Sequence, residues 1–299
     1  MSLQLNWRKL GIVAGFELAE ALRSRLVVVV LVVYGAGAGL GAYLFTKALE
    51  AAEAAARDSL LGDLSAHVVP DDLVRRQALP RLIAFLVEDE QLRQELIAID
   101  PLAIFYGIVA LNLVAPLVLL TSGGAHASDI GRGATRFLLT RCDRLSWSLG
   151  KLAGHGALLG MGLLVGALVT AAVGYGQSKL DLGSLFWLVR AAFRAWVYGL
   201  AYLGIFAGLS LLVRAPARAR ALSVFTLFAL WIGHTLSQSD GLAERLPGLQ
   251  YLRWLFPAQY KLSLWSPNYA ESLAAMLALF LIASSAFAFG HSRFKRADA

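Results

Sequence analysis

Leu26 to Phe45 is a run of 20 residues without a charged side chain. At the helical rise of roughly 1.5 Å per residue it covers about 30 Å, the thickness of bilayer hydrocarbon. A backbone in that medium must satisfy its own hydrogen bonds, so the run is predicted to cross as a helix. Further apolar runs lie at Leu102 to Thr121, Leu152 to Tyr175, Ala195 to Val213, Ala221 to Leu236 and Leu273 to Phe289. With 58% hydrophobic against 16% charged residues gathered in this way, the chain is predicted to be an all-α polytopic membrane protein of six transmembrane helices. The fifth run has only 16 residues, contains His234, and is expected to fall short of the far surface, sharing a re-entrant unit with the aromatic stretch beyond it. The first run is long and begins after about 25 residues, which reads as a retained anchor rather than a cleaved signal peptide. A single cysteine, Cys142, excludes an intrachain disulfide and a cysteine-based metal cluster within one subunit.

An even number of crossings puts both termini on one side, and the side depends on where lysine and arginine collect. Residues 1 to 25, 123 to 151, 214 to 220 and 291 to 299 hold 15 basic and 5 acidic residues; the remainder holds 12 basic and 15 acidic. The basic set is therefore predicted to be cytoplasmic, with both termini inside. Basic residues placed in short loops beside apolar spans also account for the high pI without a nucleic-acid partner.

Outside the spans, residues 1–25 are loosely amphipathic, with Trp7, Leu10, Ile12, Val13, Phe16, Ala19 and Leu22 set against Arg8, Lys9, Glu17, Glu20, Arg23 and Arg25. They read either as a cytoplasmic interfacial helix or as a basic flank of the first span. Residues 47–100, with 11 acidic and 6 basic residues and prolines at Pro70 and Pro80, are expected to form short exterior helices. That segment is either a solvated face or a platform for an exterior partner. Gly35, Gly37, Gly39 and Gly41 in the first span, and Gly156, Gly160, Gly162 and Gly166 in the third, mark packing faces. Pro116 is expected to kink the second span near Asn112. Arg190 and Arg194, at the exterior start of the fourth span, are expected to snorkel to headgroups.

No predicted span contains aspartate or glutamate, which disfavours ion-coupled transport. His155 and His234 lie near span ends and read as satisfied interfacial residues rather than a proton relay. The sequence has no H-E-x-x-H pair, no G-x-S-x-G elbow and no G-x-x-x-x-G-K-[ST] phosphate loop, so ATP hydrolysis is not expected from this chain. Metal carriage is poorly supported, because only Met161 and Met276 lie in spans.

The most informative stretch is Ser128-Asp-Ile-Gly-Arg-Gly-Ala-Thr-Arg-Phe-Leu-Leu-Thr-Arg-Cys-Asp-Arg, which leads to Gly150-Lys151 before the third span. It resembles the permease signature of ABC-2 type transporters: a charged start, Gly-x-Thr, Leu-Leu-Ser, a proline, an arginine and a closing Gly-Lys. Asp129 and Arg132 stand at the charged start, Thr135 at the threonine, Leu138 and Leu139 at the leucine pair and Arg144 at the later arginine. Thr140 replaces the usual serine, and Cys142 stands where proline is common. Within the family, Gly150 to Gly156 and Pro257 to Tyr260 look most similar to the permeases of nitrous oxide reductase maturation.

The resemblance implies a type V ABC exporter-like fold in a bacterial plasma membrane. It implies two copies of this permease and two of a cytoplasmic ATPase that holds the ATP and Mg, with no cofactor bound by this chain. The coupling segment would be residues 123–151. There Leu138 and Leu139 fill an apolar slot on the ATPase while Asp129, Arg132 and Arg136 make charged contacts at its rim. Residues 246–265 look like the short exterior re-entrant helices of such exporters, with Trp254, Pro257 and Tyr260 as candidates for an exterior gate. Interfacial anchoring is the plainer reading of the tryptophans.

Overall fold

A computed structural model describes residues 6–64, 99–177, 182–239, 249–266 and 268–297, and among these the regular structure is helical throughout. In chain order the helices are α1 (Trp7–Arg23), α2 (Arg25–Leu64), α3 (Pro101–Ser122), α4 (Ala125–Arg132), α5 (Ala134–Leu138), α6 (Arg144–Gly176), α7 (Leu182–Leu212), α8 (Pro216–Ser237), α9 (Leu249–Leu252) and α10 (Tyr269–Ala297). Three 3₁₀ turns, Arg253–Leu255, Pro257–Tyr260 and Ser263–Trp265, lie between α9 and α10. Six stretches are long and apolar enough to cross a membrane: Arg25–Asp58, Pro101–Arg132, Arg144–Gly176, Gly183–Leu212, Pro216–Ser237 and Tyr269–Arg296.

The helices outrun the apolar runs. α2 continues through residues 47–64, in place of the short exterior helices expected there, and residues 65–98 of that segment lie outside the described residues. The fifth span is 22 residues long, enough to cross, although its mean hydropathy of 1.3 is the lowest of the six. Lengthening occurs because alanine, leucine and long charged side chains favour helix, and a charged residue in the last turns reaches the headgroups. α3 runs through Pro116 from Pro101 to Ser122. Its start is fixed by Asp100, whose Oδ1 accepts the Leu102 amide at 2.8 Å, with Pro101 in the first position where an amide is not needed.

By contacts the chain divides into two compact units, one of Met1–Leu31, Leu113–Met161 and Ala195–Ala299, the other of Val32–Asn112 and Gly162–Arg194. In the second unit, Gly35 and Gly39 face Val165 and Val169, Gly41 faces the Phe105 ring, and Phe45 stacks on Phe105 at 4.7 Å. Gly166 sits against Tyr34 and Tyr106, whose hydroxyls lie 3.3 Å apart. Arg194 is buried and engaged within the chain, well inside α7, and the Arg190 guanidinium lies 5.1 Å over the Trp187 ring. Neither arginine stands at the helix start: Arg194 turns into the chain instead of toward headgroups, and Arg190 is half-buried beside Trp187.

The first unit is held by close backbone approaches. A Cβ on Gly290 would meet the Gly208 backbone, and one on Gly208 would meet the Ala286 carbonyl, so α7 and α10 touch main chain to main chain. Beside this crossing, Trp147, Ala207, Leu211, Phe287 and Phe294 form an apolar core joined by Val13, Ile130, Leu139, Cys142, Leu149 and Leu152. α1 is a separate helix, started by Asn6, whose side chain accepts the Lys9 amide at 3.1 Å. Its apolar residues Trp7, Ile12 and Phe16 point away from the chain, and Glu17 and Ala21 point in. That is the reverse of a soluble amphipathic helix, and it leaves the apolar face for lipid.

Candidate coupling site

Residues 123–143 fold as a compact helical turn rather than an open loop. Gly123 and Gly124 end α3, and Gly124 and Gly131 lie directly against the carbonyls of Pro216 and Arg214, contacts that a side chain would block. Gly133, at φ 74°, takes the left-handed conformation that separates α4 from α5. The Cys142 amide returns to the Leu138 carbonyl at 2.9 Å, closing the turn after α5 without the proline common at this point. Asp143 then starts α6 by accepting the Ser146 amide at 2.8 Å. Burial alone would raise the Asp143 carboxyl, but its hydrogen bonds from Ser146 hold it below the ordinary range.

This turn sends the sequence-predicted residues in different directions. Arg132 and Arg136 are exposed, Leu138 is 40% exposed, and Thr135 is buried. Leu139 packs into the apolar core around Trp147 instead of standing beside Leu138. Arg144 reaches across to donate to the Lys295 carbonyl at 3.0 Å and lies 5.7 Å over the Phe294 ring, tying the start of α6 to the end of α10. Phe137, which lies outside the leucine pair of the motif, is 80% exposed.

Asp129 does not project from the turn but pairs with Lys151 at 2.8 Å. The same ammonium lies 2.8 Å from both carboxylate oxygens of Glu17, and His155 Nε2 lies 3.1 Å from Glu17 Oε1. Lys151 is only 3% exposed, so one buried cation joins α1, α4 and α6. Burial by itself would raise the Glu17 carboxyl, but the His155 hydrogen bond and the Lys151 charge outweigh it and hold the group at about 2. The helix spacing explains the convergence. Gly150 and Gly154, four apart, admit α1, with a Cβ at Gly150 falling 2.7 Å from Val13 and one at Gly154 2.9 Å from Glu17. Lys151 and His155, each one residue on, then both meet Glu17. A cavity of about 180 Å³ opens beside the cluster, lined in part by Glu20, Arg132 and Arg220. Among the described residues no group of three or more His, Cys, Asp or Glu is placed to hold a metal.

In the segment after α8, Pro257 is buried, Trp254 is 51% exposed, and the Tyr260 hydroxyl donates to the Trp254 carbonyl at 2.7 Å. The two rings stand 6.2 Å apart, and Phe256 lies against Gly233 and His234 near the end of α8. Of the three gate candidates, Trp254 and Tyr260 thus form one small aromatic pair, with Pro257 buried at the start of the turn that carries Tyr260. Residues 246–248 lie outside the described residues.

The sequence profile of the family described as ABC-2 family transporter protein matches residues 12–299. The chain belongs to this family. It is therefore a multi-pass membrane component of ABC transport, a permease subunit. No curated protein matches the chain significantly.

Within an ABC-2 permease, two features of this site escape a linear motif. In the sequence Glu17 is one of several charges on an interfacial helix, and nothing local distinguishes it from Glu20. The usable signal is in α6, where Gly-Lys-x-x-Gly-His at Gly150 to His155 puts two small residues and two polar ones, Lys151 and His155, on adjoining helical stripes. Phe137 is hidden by position: the turn at Gly133 decides which of three consecutive apolar residues faces out.

Proposed function

We propose that this ABC-2 permease is driven by a separate cytoplasmic ATPase, two copies of each forming the transporter, with ATP and Mg held by the ATPase. The observation that carries this is the α4–α5 turn, which offers an exposed Phe137 and Leu138 on a segment that also exposes Arg132, Arg136 and Arg141. Exposed apolar side chains with arginines on the same short segment suit an apolar groove with an acidic edge. The turn is also rigidly backed: Ile130 and Leu139 enter the core, and Asp129 is fixed to Lys151. A push on the turn is thus delivered to α1 and α6, and the permease moves its substrate outward by alternating access. The basic loops support a cytoplasmic position for both termini in a bacterial cell, which reporter fusions to each end check.

Replacing Phe137 and Leu138 together by aspartate is expected to reduce co-purification with the cognate ATPase at least tenfold. Thermal unfolding of the permease should be unchanged, because both side chains are exposed. Undiminished co-purification would overturn the proposal.

A second reading, in which the chain relays ATPase movement to an exterior partner without carrying a substrate, is favoured by α2. Its 40 residues make a helix of about 60 Å, roughly twice the hydrocarbon thickness, leading into the acidic segment. The likeness of Gly150 to Gly156 and of Pro257 to Tyr260 to permeases of nitrous oxide reductase maturation fits such a relay, in which an exterior protein is the object of the movement.

A further inference from the structure

The edge where α7 and α10 end carries a cavity that the coupling site does not use. It measures about 470 Å³ and is lined by Leu211, Leu212, Phe289, Arg293, Phe294 and Arg296. Leu211 and Phe294 are buried and make its floor, while Leu212 and Phe289 stand as an apolar wall, 39% and 56% exposed. The Arg293 guanidinium lies 5.5 Å over the Phe289 ring, and Arg296 comes one helical turn later. Both arginines are exposed, and neither has a carboxylate partner among the described residues. Residues 203–212 and 272–297 contain no aspartate or glutamate, and the nearest one in sequence, Asp298, lies outside the described residues.

Two exposed guanidiniums beside an apolar wall suit an anion, and planar forks of this kind match phosphate oxygens. The wall limits what that anion is attached to. Phe289 lies eight residues before the end of α10, or about 12 Å along the helix, inside a span apolar enough to cross a membrane. Phe289 also closes the apolar run from Leu273, so the aromatic wall stands where hydrocarbon gives way to headgroups, a boundary that a lipid with its acyl chains spans and that a soluble anion does not need.

We propose that this cavity seats one anionic phospholipid, its headgroup phosphate held by Arg293 and Arg296 and an acyl chain laid against Leu212 and Phe289. The site rests on the chain's place in a membrane and stands whether or not the coupling reading holds. The lipid cross-links the ends of α7 and α10, next to the Arg144 contact with Lys295. Basic residues at a helix end that snorkel toward headgroups are common; here an apolar cavity beneath them adds a place for the chain.

Native mass spectrometry of the delipidated full-length chain in detergent tests this, with phosphatidylglycerol, phosphatidylcholine and glycerol phosphate offered separately. Phosphatidylglycerol is expected to be retained in preference to phosphatidylcholine, and glycerol phosphate not to be retained. Arg293→Ala with Arg296→Ala should weaken phosphatidylglycerol about 25-fold, while Arg293→Lys with Arg296→Lys keeps most of the binding. Should the alanine pair fail to fold, Phe289→Ala serves, with a loss of phosphatidylglycerol at unchanged thermal unfolding. Equal retention of the two lipids, equal binding by wild type and the neutral variants, or glycerol phosphate binding as tightly as the lipid would each overturn the site. So would expulsion of the lipid on adding the ATPase, which would make this face a protein interface.

Discussion

Lys151 is the buried cation that ties α4 to α1. Its ammonium is almost wholly buried and is matched by the Glu17 and Asp129 carboxylates, both at 2.8 Å. Removing one member of such a group leaves uncompensated charge in a poor solvent, which costs more than the intact cluster contributes. Lys151→Met is therefore expected to destabilise the permease by about 3 kcal/mol, seen as a lowered unfolding temperature in detergent. It should also free α1, seen as faster amide exchange over Trp7–Arg23. Unaltered exchange there would show that packing on Gly150 and Gly154 suffices. The pH dependence comes from Glu17, whose carboxyl falls from 4.5 to about 2 on folding. Its contribution is complete above the unfolded value and is lost as pH falls from about 4.5 toward 2. Acid titration of stability should show that loss in wild type and not in Glu17→Gln.

At the scale of elements, glycine decides which helices touch. Gly290 and Gly208 bring α7 and α10 into backbone contact, so Gly290→Val forces the pair apart, at about 1–3 kcal/mol. A Cβ placed on Gly37 would meet nothing within 4 Å, so Gly37→Ala is expected to be neutral or to stabilise α2 by about 0.5–1 kcal/mol. Thermal unfolding of the two variants checks the contrast, and equal losses would contradict it. The density of glycine in the first span is legible in the sequence as a packing signal. That Gly35, Gly39 and Gly41 meet neighbours while Gly37 does not is not legible there, because a helix turns each successive residue by about 100° and the sequence does not say where the neighbour lies.

For the whole molecule, the choice between carrying a substrate and relaying force turns on the acidic segment, residues 47–100, of which α2 takes in residues 47–64. Deleting residues 65–98 is expected to leave the ATPase bound and to release any exterior protein that co-purifies from membranes. Retention of that protein would favour transport through the chain itself. The six crossings are legible from the apolar runs, but their ends are not. α2 and α7 carry helix well into charged sequence, since hydrogen-bonded backbone persists in water and headgroups as well as in lipid.

From the sequence alone come the six spans, the basic set of loops and the motif between the second and third spans. A bilayer admits few backbone arrangements, and charge is costly to move across it. Tertiary structure decided which polar groups turn inward. Whether Glu17 faces water or Lys151 depends on α1 settling onto Gly150 and Gly154, and whether Leu138 or Leu139 faces out depends on one left-handed residue at Gly133. These are contacts between distant segments and a single backbone angle, and neither has a period that the chain repeats.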